Sequence, residues 1–288
     1  MLLKTTIAIL SLQICLDRAG FSPSAIDGAW GAKSQSALAT YCAVKGLPLP
    51  AAPEKAFKEL FPDATDLFVR VSVTTQDVAS LVSIPDNPAE KAKLPAMGYS
   101  TIREMFAERG HVSERMLERL NPRLQWPNPP PGSKILVPWF PPPEGNPRKR
   151  PRAASLRVSL SRREVSAFAA DGSFLALFPC SIAASKSKLP PVGETHITAI
   201  IPAPNYTYTP DFTPKGEKAA RHIFPPGPNN PVGTAWIGLN LPGYGIHGTP
   251  FPERIGRAES HGCFRLANWN ASRLLDLCST GVPVAIEE

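Results

Sequence analysis

The sequence predicts a multidomain α+β chain: a small helical N-terminal module, an α/β middle module, and a mostly-β C-terminal domain of sandwich or barrel type with one or two helices. Three observations predict it. The 288 residues exceed one average domain, and 34 prolines are about twice the usual share of roughly 5%. Modules joined by proline-rich segments follow. Apolar residues recur as a helix-like run near the N-terminus, through Ile9, Leu10, Leu12, Ile14 and Leu16. From residue 156 onward, short alternating or apolar runs are separated by turn residues, which is the pattern of strands.

In chain order, the first helical run stops at Gly20. A turn-rich segment follows at Ile26-Asp27-Gly28-Ala29-Trp30-Gly31, then a second helical run over 33–44. Asp27 reads as a turn and cap residue and not as a catalytic one. With Leu12-Gln13, Gly20-Phe21, Asp27-Gly28-x-Trp30-Gly31 and Ala37-Leu38, residues 1–50 resemble the small helical peptidoglycan-binding domain attached to wall enzymes; the alternative is a generic helical bundle. Residues 51–69 read as a linker. In 70–140, Tyr99 to Phe106, Met116-Leu117, Leu120-Asn121 and Gly132 to Pro138 suggest two helices and a closing strand. That order resembles a LysM module, degenerate in its first half. The resemblance implies a shallow groove for glycan, with a structural spacer as the alternative. Residues 141–154 hold Pro141-Pro142-Pro143 and Arg148-Lys149-Arg150-Pro151-Arg152, an extended, solvated, basic linker.

The C-terminal domain, 155–288, opens with strands over 156–160, 164–169 and 173–179, the last two joined by a tight turn at Asp171-Gly172. A helix over 270–278 takes Asn268 or Asn270 as its cap and Gly281 as its stop, and a last strand covers 283–286.

The chemistry concentrates near the end of this domain. His247-Gly248-Thr249 precedes Ser260-His261-Gly262-Cys263-Phe264-Arg265-Leu266. A thiol is a strong nucleophile only as thiolate, so a catalytic cysteine needs an imidazole base, here His247, with His261 as a competing candidate. If 260–266 is extended, residues 261, 263 and 265 share one face, so an imidazole and a guanidinium flank the thiol. Gly262 can adopt unusual dihedrals and leave its amide beside the sulfur, where an acyl transition state needs donors. His247, His261 and Cys263 also make three zinc-ligand types, but no fourth ligand or general-base glutamate has suitable spacing. No cofactor or metal is expected.

These motifs resemble the catalytic signature of L,D-transpeptidases, the YkuD-type enzymes of peptidoglycan metabolism. The likeness covers roughly 155–287 and includes Pro191-Val192-Gly193-Glu194, Pro225 to Gly233 and Gly243-Tyr244-Gly245, with one departure: Pro190 stands where Thr is common. It implies that Cys263 attacks the diaminopimelate–D-Ala bond of a tetrapeptide stem, releases D-Ala and passes the acyl group to an amine. The product is a 3→3 cross-link or an anchored envelope lipoprotein. With water as acceptor the same acyl-enzyme gives L,D-carboxypeptidase activity, and the non-enzymatic alternative is a wall-binding protein. The Gly248 carbonyl would orient His247, and the Gly262 and Cys263 amides would form the oxyanion hole. His261 would support the site by packing and hydrogen bonding. Arg265, Ser260 and Tyr244 would bind substrate, and carbapenems would acylate Cys263.

The resemblance implies peptidoglycan stem peptides and glycan strands as partners. Net charge is +7 and the pI is near 9.3, yet the basic run lies in a proline-rich linker without interleaved aromatics, which argues against nucleic acid. Of five cysteines, Cys263 is assigned to catalysis, Cys15 and Cys42 make a conceivable disulfide, and Cys180 and Cys278 read as buried thiols. The apolar run at 7–10 imitates a secretory signal but is short and lacks a small-x-small cleavage site. It reads as the first helix of a folded module, with export to the envelope or periplasm directed by a signal elsewhere. No stretch reaches the roughly 18 apolar residues of a membrane span.

Overall fold

Helix α1 (Lys4–Arg18) is buried at every residue from 9 to 17, polar ones included. A helix apolar on one stripe lies on a surface, whereas one enclosed on all sides lies between two cores. Here Leu10 and Ile14 pack into the middle module's core with Ile102, Met105, Phe106 and Met116. Leu12 and Leu16 face the opposite way, into a core with Phe21, Leu38 and Tyr41. The apolar N-terminal run is thus a central core helix. The computed structural model describes residues 4–141, 151–210, 221–256, 258–260 and 262–288.

Helix α2 (Ala32–Lys45) ends at Gly46 in the left-handed conformation. Gln13 knits the intervening turn. Its amide donates to Asp27 Oδ1, the Ala29 carbonyl and Ser34 Oγ, and its oxygen accepts from the Gly28 amide. Asp27 also accepts from the Ala29 amide, so it is a turn residue. The 51–69 segment is not an open linker. It contains helix α3 (Pro53–Leu60), with Pro at its start, where a missing N–H costs nothing. Ala56, Phe57 and Leu60 share one face and close the core beside Leu38 and Tyr41.

The middle module begins with a strand absent from the sequence reading, β1 (Phe68–Ser72). It pairs antiparallel with β2 (Lys134–Pro138), Arg70 opposite Leu136. Between them lie α4 (Thr75–Ala79), α5 (Pro88–Lys91), α6 (Ile102–Arg109) and α7 (Glu114–Leu120). Thr74, Asn87, Thr101 and Ser113 each accept from a backbone amide in the first turn of the helix that follows, which satisfies donors that a helix start leaves open. The basic linker reading falls mainly on 142–150, outside the described residues. Its last residues belong to the next domain, since Ala153 is buried in that domain's core.

That domain contains β3 (Ser155–Ser159), β4 (Glu164–Phe168), β5 (Phe174–Pro179), β6 (Ile182–Ala183), β7 (Gly193–Pro202), β8 (Tyr206–Tyr208), β9 (His222–Phe224), β10 (Ala235–Leu239), β11 (Gly245–His247), β12 (Ala258–Ser260), β13 (Phe264–Arg265), α8 (Asn268–Leu277) and β14 (Pro283–Glu287). Eight strands form one curled sheet in the order β13-β11-β10-β7-β14-β3-β4-β5. The long β7 links its halves: residues 193–196 pair with β14, and 197–202 pair with β10. Val158, Val165, Phe178, Ile197, Ile237, Phe264 and Leu274 fill the core between sheet and α8.

Helix α8 starts two residues before the sequence places it, and neither asparagine caps it. The N-cap is Ala267, without a side-chain cap. Asn268 and Asn270 are buried and turn to other segments: Asn270 Nδ2 donates to Ser22 Oγ at 2.8 Å. The modules are therefore packed together. Leu177 of edge strand β5 exchanges backbone hydrogen bonds with Gly20 and Ser22, which covers part of an otherwise open edge. His111 stacks between Phe140 and Trp269 and pairs with Asp17 at 2.6 Å. Cys15 and Cys42 are free buried thiols and form no disulfide; Cys180 and Cys278 are also free and buried. No helix among the described residues is long and apolar enough to cross a membrane.

Candidate active site

The geometry begins with one parallel strand pair. β11 and β13 place Ile246 opposite Phe264 and His247 opposite Arg265, and the Leu266 amide donates to the His247 carbonyl at 2.8 Å. Ile246 and Phe264 are fully buried, so the apolar positions anchor the pair in the core and the alternate positions lie on the other face. On its far side β13 is held by Ser181, which exchanges two backbone hydrogen bonds with Arg265 at 2.8 and 3.0 Å. Residues of two motifs eighteen positions apart (264 − 246) are thereby fixed side by side.

The 260–266 run is not one extended strand. β12 ends at Ser260, the backbone bends at 262–263, and β13 begins at Phe264. Gly262 makes the bend possible with φ +148°, a region that residues with a Cβ rarely enter. A Cβ there would also lie 3.2 Å from the Tyr244 ring. Tyr244 is held over the bend by its hydroxyl, which donates to the Lys188 carbonyl at 3.3 Å. The Ser260 side chain and His261 lie outside the described residues.

His247 is 5% exposed. Its Nδ1 lies 2.6 Å from the Gly248 carbonyl. An acceptor-only carbonyl makes Nδ1 the protonated nitrogen of the neutral ring, leaving Nε2 as the basic one. Trp236 sits opposite His247 on β10, their ring centroids 5.5 Å apart. Burial lowers the imidazole pKa to about 4, the Gly248 hydrogen bond works against that shift, and the Arg265 charge adds to it. The ring is neutral at pH 7 and available as a base.

Cys263 is partly exposed. Burial raises its pKa, opposed by the Gly245 amide and by Arg265. Its Sγ donates to the Gly243 carbonyl at 3.4 Å. The Nε atom of Arg265 is buried with no hydrogen-bond partner, and among the described side chains no carboxylate lies within ion-pair distance of this arginine.

Residues 153–286 match the profile of the YkuD family, the L,D-transpeptidase catalytic domain. The C-terminal domain is similar to the YkuD type. A candidate L,D-transpeptidase encoded in an ATP synthase subunits region of Fuscovulum blasticum is 36% identical over 124 residues, 41% of this chain and 60% of that protein. The candidate L,D-transpeptidase YkuD of Bacillus licheniformis is 39% identical over 74 residues, 26% of this chain and 44% of that protein. The chain spans about half the length of these curated relatives. Among solved structures, L,D-transpeptidase 3 from Mycobacterium tuberculosis in complex with a faropenem-derived adduct aligns with 17% identity and a TM-score of 0.38, covering 48% of this chain and 61% of that one.

Within the YkuD-type domain, the sequence motifs led to Cys263, His247, Gly248, Gly262, Arg265 and Tyr244. Three contributors escaped them. Trp236 read more as a core aromatic than as a cleft residue, Asn268 looked like a helix cap, and Glu108, 139 positions before His247 in another module, carries no motif. Asn268 Nδ2 donates to Glu108 Oε2 at 2.9 Å. Burial raises the Glu108 pKa to about 7, opposed by its hydrogen bonds from Asn268 and Tyr99 and reinforced by the nearby Glu104.

Proposed function

We propose that the chain is a peptidoglycan L,D-transpeptidase of the bacterial envelope. The observation that carries this reading is the His247–Gly248 hydrogen bond beside the strand pair that Cys263 immediately precedes, within a segment matching the YkuD profile. A neutral imidazole with Nδ1 fixed by a carbonyl keeps its Nε2 lone pair for the thiol proton. As Cys263 sulfur attacks the carbonyl of a diaminopimelate–D-Ala bond, its proton passes to His247 and then to the departing D-Ala amine. A thioester remains. The amine of a second stem attacks it and gives a 3→3 cross-link, and the thiol regains its proton.

The Gly262 and Cys263 amides supply the oxyanion donors in this scheme, at a bend that a Cβ would obstruct. Arg265 holds a stem carboxylate through its planar guanidinium, and Tyr244, lying over the bend, borders the donor peptide. Ser260 and His261 complete the reading as a substrate contact and a supporting residue. The helical and middle modules are proposed, from their sequence resemblances, to hold wall polymer. An envelope lipoprotein lysine is the alternative amine acceptor.

Intact-protein mass spectrometry tests this. Wild type and Cys263→Ala are incubated with a carbapenem and, separately, with purified disaccharide tetrapeptide, and the products are analysed. A Cys263-dependent adduct together with a 3→3 dimer supports transpeptidation. An adduct with only tripeptide would replace it with carboxypeptidase activity, and neither adduct nor product from wild type would sink the enzymatic reading.

A further inference from the structure

One buried polar network reaches the catalytic histidine from outside the YkuD-type domain. Asn268, at the start of α8, is 1% exposed. Its Nδ2 donates to Glu108 Oε2 of α6 at 2.9 Å and to the Pro228 carbonyl at 3.0 Å, and its Oδ1 accepts from the Thr234 amide at 3.2 Å. Glu108 is held in turn by the Tyr99 hydroxyl, which donates to Oε1 at 2.9 Å. The far end of the network touches the site. Asn268 Oδ1 lies so close over Gly248 that a Cβ on Gly248 would collide with it. The Gly248 amide donates to the Ala235 carbonyl of β10 at 3.2 Å, while its carbonyl fixes His247 Nδ1. Gly248, whose carbonyl orients the imidazole, is therefore tied to β10 through its amide and packed under the Asn268 side-chain oxygen.

Pro228 and Thr234, 40 and 34 positions from Asn268, engage its donor and acceptor ends once each. Glu108 supplies a second acceptor, charge-bearing when ionised, for the same Nδ2. The loop at 226–229 is itself tied to the middle module: the Met97 amide donates to the Pro226 carbonyl at 2.8 Å, and Asn229 Nδ2 donates to Glu104 Oε1 at 2.5 Å. Every non-local restraint on Asn268 other than Thr234 thus runs through α6 or a loop that α6 holds.

We infer that Glu108 and Asn268 are positioning residues for His247, so that the middle module helps set the geometry of the Cys263–His247 pair. The inference deepens the reading of His247 as the base and rests on it. It assigns to the middle module a role in the reaction beyond any hold on wall polymer.

The test uses the full chain and two readouts that need no peptidoglycan: the His247 tautomer from imidazole nitrogen shifts by NMR, and the iodoacetamide alkylation rate of Cys263 at pH 7. Glu108→Ala should slow alkylation about tenfold and mix the tautomers. Glu108→Gln, which keeps one acceptor for Asn268, should recover most of both. Should Glu108→Ala fail to fold, Tyr99→Phe decides, since it removes only one hydroxyl that anchors Glu108; a smaller change in the same direction is expected. A fixed Nδ1–H tautomer and wild-type alkylation in the folded variants, even with a lowered melting temperature, would reduce Glu108 to a structural contact and overturn the inference. Wild-type protein that shows the fixed tautomer and the Glu108 dependence, yet forms no acyl-enzyme, would overturn the proposed function alone.

Discussion

Trp236 and His247 face each other across the antiparallel β10–β11 pair, with ring planes 19° from parallel. The indole covers one face of the imidazole and excludes water from it, and desolvation is the largest cause of the lowered His247 pKa. In the proposed reaction, a neutral base at mildly acidic pH depends on that cover.

Trp236→Ala should therefore raise the His247 pKa from about 4 toward its ordinary 6.5, stopping short because the Arg265 charge remains. An NMR titration of the imidazole C–H resonances reads the shift, and the acidic limb of Cys263 alkylation should move up with it. An unmoved titration would show that the surrounding backbone, not the indole, desolvates the ring.

Two buried groups give opposite pH dependences of stability. His247 is depressed in the folded chain, so its contribution is present above the ordinary pKa of 6.5 and is lost as pH falls toward about 4. Glu108 is raised, so its contribution is complete below 4.5 and is lost as pH rises through about 7. Thermal melts between pH 5 and 8 should show a declining component that Glu108→Gln removes, on the order of 2 kcal/mol at most. A slope that survives the substitution would assign it to other groups.

Much of the fold and the reactive pair was legible because both follow local rules. Alternation over 156–179 with Asp171-Gly172 marked β3 to β5, and Gly262 was legible as a residue that can take unusual dihedrals, although the bend there was not. What escaped was set by tertiary contact. Helix α3 was hidden in a short segment whose apolar residues mean little until α1 and α2 are beside it. Asn268 precedes a helix as a cap should, yet its amide serves two other segments, and the helix starts uncapped. Glu108 looks like any surface glutamate of an amphipathic helix. Nothing in its neighbourhood signals that its carboxylate is buried against a residue 160 positions away.

Phe21 ties the helical module to the YkuD-type domain. It stacks on Phe174 of β5 with centroids 5.1 Å apart and meets Tyr41 edge-on at 5.3 Å. Phe21→Ala should cost about 3 kcal/mol by leaving a cavity between the two. Calorimetry should show wild type unfolding in one transition and Phe21→Ala in a broadened or split one, whereas an unchanged transition in the variant would mean that the Gly20–Ser22 backbone pairing with Leu177 suffices.

Gly262→Ala separates two reasons for a glycine beside the nucleophile. The first is conformational: alanine at φ +148° is strained by about 1–3 kcal/mol, and relief of that strain would move the adjacent Cys263 amide and sulfur. The second is steric, since the new methyl would approach Tyr244 Cε1 at 3.2 Å, a flexible neighbour that can give by a few tenths of an ångström. The backbone term is the larger of the two. Carbapenem acylation should fall at least about tenfold in Gly262→Ala, with a far smaller change in melting temperature than a core substitution produces. Adding Tyr244→Ala removes the steric contact and leaves the dihedral as it was, so the double variant should stay slow. Recovery of acylation in the double variant would show instead that Tyr244, and not the backbone conformation, is what the glycine accommodates.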